Sequence, residues 1–454
     1  MSDQNQILAS AISRFIKRLE REDVCIHGFE IRQDGKVRAE GYYAPFEKGQ
    51  PHRQYSISKS MVSLAIGLLI DDGKCKLTDP ICDYFPEFMT ENADPRLLRL
   101  SIHNMLRMST CHQKTTYKEG VYDCWAASFF TYPPTHESGT VFSYDTSCSQ
   151  VLGALAEKLS GMGLLDFLKQ RIFDPIGAGD PMRWLTDPSG TPQGGSGLLM
   201  SLRDMSKVAQ LVMDGGRGLI SSEYLSLATS KQINTIMCKN PEERYGYGYQ
   251  FWRTRSGYAM FGMGGQLAIC CPKEQIILST IANTRLDPYG VQHIYDAFYE
   301  EIMTSSAVNE ELPAQEAKLQ ALLSNLEVVK VLHDTAFEKA AWASYAMHAN
   351  QMGLGKMVLG ESCISFEHEQ GLTCFPFELG EHKKAEIDGK PVLISAGYYA
   401  HESLRIRCFF IGDSPSGIDL LVVTKGDRIC VQGHSCYEGN AGFEGFASGE
   451  RINV

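Results

Sequence analysis

The chain lacks a hydrophobic run long enough to span a membrane. A span needs roughly 18–20 apolar residues, whereas the longest run here, MVSLAIGLLI at 61–70, stops at Asp71-Asp72. The opening MSDQNQILASAISRF has no basic start, apolar core or small-residue cleavage site, so export is not expected and the location reads as cytoplasmic. Positive charge is short as well. The chain carries 43 Lys+Arg against 54 Asp+Glu, a net charge of -11, which argues against nucleic acid or an anionic membrane surface as partner. Metal-ligand spacing is missing: none of the 12 His sits in HExxH, and Cys111, His112 and Cys124 lack a second half. Cys270 and Cys271 are adjacent and point to opposite sides of a strand. No metal and no organic cofactor are therefore expected. The sequence also has no GxSxG. Gly194-Gly195-Ser196-Gly197 has the wrong register, which argues against an α/β-hydrolase elbow. GLGK at 353–356 lacks the rest of a P-loop, and no repeat or low-complexity tract occurs.

What is present is ordinary globular material. The 454 residues are 43% apolar and 21% charged, enough for two or three domains with real cores. The 14 Cys read mostly as free thiols filling a core in a reducing compartment. Helical spacing of Leu8, Ile12, Phe15, Ile16 and Leu19 predicts a helix over Gln4–Glu20. Asp34-Gly35 predicts a tight hairpin turn. Residues 56–72 predict a helix apolar nearly all round, closed by Gly73 and buried at the protein centre. Further helices are predicted over Gln150–Leu159 and Leu202–Met213, and strands over 245–254, 257–263, 267–271 and 275–282. These elements suggest an α/β body whose sheet draws on both of its chain ends. Near 308–320 the composition turns charged and reads as a linker running into a helix. Short β segments then follow, from CISFEHEQ to DRICVQGHS, as in a small antiparallel sheet or barrel. The expected organisation is a body at 1–305, a linker and helix at 306–335, and a β-rich domain at 336–454.

The chemistry concentrates at Tyr55-Ser56-Ile57-Ser58-Lys59-Ser60. Ser56 and Lys59 are three apart, so at a helix start they share a face. A serine hydroxyl needs a base to become a nucleophile, and burial lowers a lysine toward neutrality. The helix N-terminus adds backbone N–H groups that can hold a developing oxyanion. SxxK alone also allows a plainer arrangement, Ser56 as an N-cap with Lys59 in solvent.

The surrounding sequence resembles the serine β-lactamase and penicillin-binding protein superfamily, in its class C β-lactamase and esterase branch. YSISKSMVSLAIGLLIDDGKCKLTDPICDYFPEF is similar to the nucleophile helix of that branch, and LSIHNMLRMST (100–110) to its "TIRHLLTHTSG" segment. SGTVFSYDTSCSQVLGALAEKLSG (138–161), FDPIGAGDPMRW and GGSGLLMSLRDMSKVAQLVMDGG (194–216) resemble further elements in the same chain order. The resemblance implies an α/β body, mainly an antiparallel sheet flanked by helices, with a helical subdomain. It implies acyl-enzyme hydrolysis of a small-molecule ester, amide or lactam, with Ser56, Lys59 and Tyr144 catalytic. It further implies that Tyr144 shuttles the proton, its phenol lowered by the neighbouring ammonium. The backbone N–H groups of Ser56 and Met263 would form the oxyanion site.

Two departures from the family pattern narrow the activity. Thr146 stands where most relatives have Asn, so it offers a hydroxyl but no amide to a β-lactam side chain. Met260-Phe261-Gly262 stands where relatives carry Lys-Thr-Gly or His-Thr-Gly, which removes a cation for a substrate carboxylate. Both departures resemble the esterase and nylon-oligomer hydrolase branch. Thr146, Trp125, Gly262 and Gly264 are the expected substrate-binding positions. A penicillin-binding protein, D-peptidase or β-lactamase is the second reading, and a catalytically weak binding or scaffold member the third. The region 321–454 reads either as a cap over the pocket or as a self-association surface of a homo-oligomer.

Overall fold

The computed structural model describes residues 7–304, 313–337, 339–340, 342–368, 371–436 and 442–452. The chain divides into two units. The first comprises 1–22, 26–282 and 291–326, and the second comprises 23–25, 283–290 and 327–454.

The first unit is built on a six-stranded antiparallel sheet. Its spatial order is Lys36–Tyr42, Ile26–Gln33, Ile276–Ala282, Gln266–Cys271, Tyr258–Gly262 and Trp252–Arg253. The chain does feed this sheet from both ends of the unit, with helices between. Asp34 and Gly35 turn the first hairpin at φ 50° and 75°, the left-handed conformation that this dipeptide tolerates. The first helix runs Ala9–Arg21 and buries Ile12, Phe15, Ile16 and Leu19, the stripe its periodicity predicts. Gln4–Gln6 of that prediction lie outside the described residues. The helix Leu202–Met213 packs on the sheet, and Ile57–Asp71 packs on Thr146–Ser160.

Ile57–Asp71 is buried at every position from Ile57 to Leu69, as an all-round apolar helix must be. Gly73 ends it at φ 69°. Thr146–Ser160 begins four residues before the predicted start, because the Asp145 side chain caps it by accepting from Ser147 N–H at 2.8 Å. The predicted strand over 245–254 is a correction. Only Trp252–Arg253 is strand there, after a 3₁₀ turn at Pro241–Tyr245. Gln250 at φ 65° breaks the extended path. Gly248 presses on the Ala228 carbonyl so closely that a Cβ would stand 2.0 Å from it.

The second unit is a ten-stranded antiparallel sheet. Each strand neighbours the next in sequence, except that Gly371–Pro376 and Lys383–Ile387 form the two ends of the order. The first strand, Ala343–Met347, pairs with the last, Gly445–Ile452. Alternation is plain in Gly417–Lys425 and Arg428–Ser435, whose inward residues Ile418, Leu420, Val422, Ile429 and Val431 are buried. Cys363 and Cys374 on adjacent strands form a disulfide, whereas the other 12 cysteines form none among the described residues. No helix among the described residues is long and apolar enough to cross a membrane.

Candidate active site

The approach to Ser56 is held under backbone strain. His52–Arg53 pairs with Leu198–Met200, and buried Gln54 ties the two by donating to the carbonyls of His52 (3.0 Å) and Met200 (2.9 Å). Tyr55 then adopts φ 46°, a conformation that a bulky residue holds only where its surroundings enforce it. Ser56 occupies the N-cap position but makes no capping bond. Its hydroxyl faces Lys59 instead, with Nζ 2.9 Å from Oγ. The solvated-lysine arrangement is thereby ruled out, since Lys59 is 1% exposed.

Lys59 has a second acceptor, the Gly195 carbonyl at 2.6 Å. Both acceptors are neutral. Burial lowers Lys59 to about 7, with Cys148 and Asp145 acting in the raising sense and Lys118 in the lowering one. Gly195 has to be glycine. A Cβ there would lie 2.2 Å from the Thr146 methyl and 3.4 Å from Lys59 Nζ. Gly194 likewise abuts the Ser149 carbonyl, and its N–H donates to Gln150 Oε1 at 3.0 Å. The 194–195 turn is thus sewn to the Thr146 helix.

Tyr144 closes the other side. Its ring centroid lies 5.1 Å from Lys59 Nζ, and Ser56 acts on its hydroxyl in the lowering sense. The ring stacks on Trp252 at 5.5 Å, meets Tyr247 edge-on at 6.4 Å, and keeps 36% of its exposure. The expected lowering of its phenol is overturned. Desolvation pushes the phenol above its ordinary value, Ser56 opposes this only partly, and a lysine near neutrality supplies little positive field.

The remaining predicted positions separate. Thr146 sits at the head of its helix with its N–H on Thr115 Oγ1 (3.1 Å) and its methyl against Gly195. Gly262 touches the approach segment, where a Cβ would lie 2.1 Å from the Gln54 carbonyl. Met263 follows it, 41% exposed, and Gly264 turns the hairpin at φ 85°. Met260, two residues before Gly262 on the same strand, is fully buried. Trp125 is anchored through its backbone N–H, which donates to Asp187 Oδ2 (3.0 Å), and its ring is stacked on Tyr117 at 4.2 Å. Sequence reasoning missed three residues of the cluster: Gly195, Asp145 and Gln250. Buried Gln250 receives the Ser149 hydroxyl at 2.6 Å, and its carbonyl receives that of Ser60 at 2.7 Å. The paired Gly194-Gly195 was the one local signal for any of them.

A family profile described as Beta-lactamase matches residues 28–298, more than half of the chain. The chain belongs to the beta-lactamase family. Among curated relatives, this beta-lactamase-family chain is 25% identical over 224 residues to a 6-aminohexanoate-dimer hydrolase of Paenarthrobacter ureafaciens. The match covers 46% of this chain and 57% of that protein, little over half of the relative's length. Among solved structures, the fold matches a D-amino acid amidase from Ochrobactrum anthropi with TM-score 0.53 and 16% identity, covering 65% of this chain and 100% of the amidase. It also matches an octameric penicillin-binding protein homologue from Pyrococcus abyssi with TM-score 0.50 and 16% identity, over 97% of this chain and 99% of that one. At these identities the structural matches speak for the fold alone.

Proposed function

We propose that the protein is a serine hydrolase that cleaves an ester or amide bond through a Ser56 acyl-enzyme. One observation carries the reading: a fully buried Lys59 amine, held near neutrality, 2.9 Å from the Ser56 hydroxyl. In the free-base form Nζ accepts the Ser56 proton as Oγ attacks the substrate carbonyl, while Nζ still donates to Gly195. The backbone N–H groups of Ser56 and Met263 hold the oxyanion. Tyr144, a neutral phenol beside Oγ, passes the proton to the leaving group. Water then attacks the acyl-enzyme, its proton returning through the same Tyr144–Lys59 pair, and the acid departs with the Ser56 hydroxyl restored.

The apolar Met260 and the hydroxyl of Thr146 favour an ester or simple amide over a carboxylate-bearing β-lactam. The relative that acts on 6-aminohexanoate dimers supports the amide side of this reading. Its test is hydrolysis of a p-nitrophenyl ester by the full chain. Ser56→Ala is expected to abolish turnover, and full retention would exclude Ser56 as nucleophile. Covalent labelling by a fluorescent penicillin would instead favour the penicillin-binding reading. Self-association belongs to the same proposal, and light scattering on the purified chain tests it.

A further inference from the structure

The turn that carries Met263 is held by buried side chains that the reaction itself leaves unused. Gln266 opens the strand Gln266–Cys271 and is fully buried. The backbone ladder between that strand and Ile276–Ala282 ends at the pair Leu267–Thr280. Past that end the Gln266 side chain takes over. Its Nε2 donates to the Ala282 carbonyl at 2.8 Å, and its Oε1 accepts from the Ala282 N–H at 3.2 Å. This reciprocal pair fixes which end of the amide is nitrogen. The second Nε2 hydrogen goes to the Met263 carbonyl at 3.1 Å. Thr280, also fully buried, ties down the same turn, its hydroxyl donating to the Gly265 carbonyl at 2.8 Å. Gly264 and Gly265, at φ 85° and 89°, would leave the turn loose without these anchors. Closing the sheet needs only the two bonds to Ala282. The third bond serves the turn.

That turn borders Ser56 through a backbone contact. A Cβ on Gly262 would lie 2.1 Å from the Gln54 carbonyl, and the same carbonyl receives the Ile57 N–H at 3.1 Å. Gly262 therefore presses on the bend that carries Ser56. Neither the Ser56 N–H nor the Met263 N–H has a hydrogen-bond acceptor among the described residues. An open N–H is ordinary at a helix start, as for Ser56. Met263 has no helix to explain its open donor, although the carbonyls of 263 and 265 are both claimed by buried side chains.

We propose that Gln266 is a positioning residue whose amide holds residue 263 so that its N–H stays aimed, beside the Ser56 N–H, at the substrate oxygen. The proposal rests on the reading of Ser56 as nucleophile and of Met263 as the second oxyanion donor. Such a donor works because it is already in place when charge develops on the oxygen, and one donor contributes about 10²–10³-fold in kcat. With the Met263 carbonyl released, the two glycines let the residue swing and part of that contribution is lost. Ground-state binding draws little on the donor, so the loss falls on kcat and not on KM.

The test compares hydrolysis of a p-nitrophenyl ester with that of its thionoester by the full chain. Sulfur accepts a hydrogen bond weakly, so the ester-to-thionoester ratio of kcat reads the oxyanion donors. A loss of folded enzyme scales both substrates alike and leaves the ratio unmoved. Gln266→Met keeps the length of the side chain without its hydrogen bonds. Its kcat for the ester should fall about 10- to 100-fold with KM within about threefold of wild type, and the ratio should fall with it. Gln266→Asn keeps an amide one methylene short, should lie between the two, and covers a folding defect in the first variant. A wild-type ratio in either folded variant overturns the Gln266 role and leaves the Ser56 reading intact. A wild-type chain with no preference for the ester overturns the oxyanion site and this proposal with it. Ester hydrolysis that survives Ser56→Ala overturns the nucleophile itself.

Discussion

Two buried cations, one in each unit, show what the surroundings make of a positive charge. Lys59 in the first unit donates to two neutral oxygens, of Ser56 and Gly195, and burial brings it down to about 7. Arg407 in the second is 5% exposed. It meets carboxylates: Asp23 at 2.7 and 2.5 Å, and Asp419 at 3.3 Å. Burial pulls this guanidinium down, but Asp23 and Asp419 outweigh burial and hold it above its ordinary value. A buried cation with carboxylate partners is a permanent structural ion. A buried cation with neutral partners is unstable as an ion, and that instability is what a general base needs. The same contrast runs through the backbone. The first unit holds a left-handed Tyr55 next to Ser56 and a buried Asp145 oxygen with no hydrogen-bond partner among the described residues, while the alternating strands of the second follow their local pattern.

Lys59→Arg breaks the comparison most sharply. A guanidinium keeps its proton, so esterase activity should fall by roughly 10³-fold or more, measured with circular dichroism to show that the fold persists. Activity within tenfold of wild type would remove the free-amine account. Arg407→Met tests the other side. It leaves Asp419 and Asp23 to Arg405 alone, and because Asp23 is 43% exposed the cost should be about 2 kcal/mol, less than for a fully buried pair. Urea denaturation should read this loss while hydrolysis in native buffer stays unchanged. A smaller effect comes from acid alone. Below a pH of about 7 the Lys59 amine is protonated, and kcat/KM should drop about tenfold per pH unit. A flat profile down to pH 5 would show that another group is the base. Smallest is Gly35→Ala in the first hairpin. A side chain at φ 75° should cost about 1 kcal/mol in stability and nothing in kcat.

Much of the fold was legible because local pattern and tertiary environment agree. The strands Gln266–Cys271 and Ile276–Ala282 are apolar runs buried on both faces, and the helix Ile57–Asp71 is apolar all round because nothing solvated surrounds it. The stretch 245–254 misled for the opposite reason. Its aromatic residues suit a strand, but Gly248 and Gln250 answer to neighbours at Ala228, Leu106 and Ser149 that no local pattern announces. In the candidate site, Ser56, Lys59 and Tyr144 carry recognisable motifs. Gly195 was legible only as a turn, and Asp145 only as the middle residue of a motif. The partner of the Gly195 carbonyl, Lys59, lies 136 residues away in the chain.

The free thiols divide along the same line. Composition alone predicts cysteines as core filler, and Cys75, Cys82, Cys148 and Cys270 are all buried. The bridge between Cys363 and Cys374 depends on two strands lying side by side, which sequence does not state.

By itself the sequence determined which groups could react. Three-residue spacing at a helix start places a serine and a lysine on one face whatever surrounds them. Only the tertiary structure decided what surrounds them. It buried the amine against neutral oxygens, bent Tyr55 into a left-handed turn, and set Tyr144 over the pair as a neutral phenol. Spacing along a helix is local geometry, but the cost of a charge depends on every dipole and carboxylate within a few ångströms, and those come from distant parts of the chain.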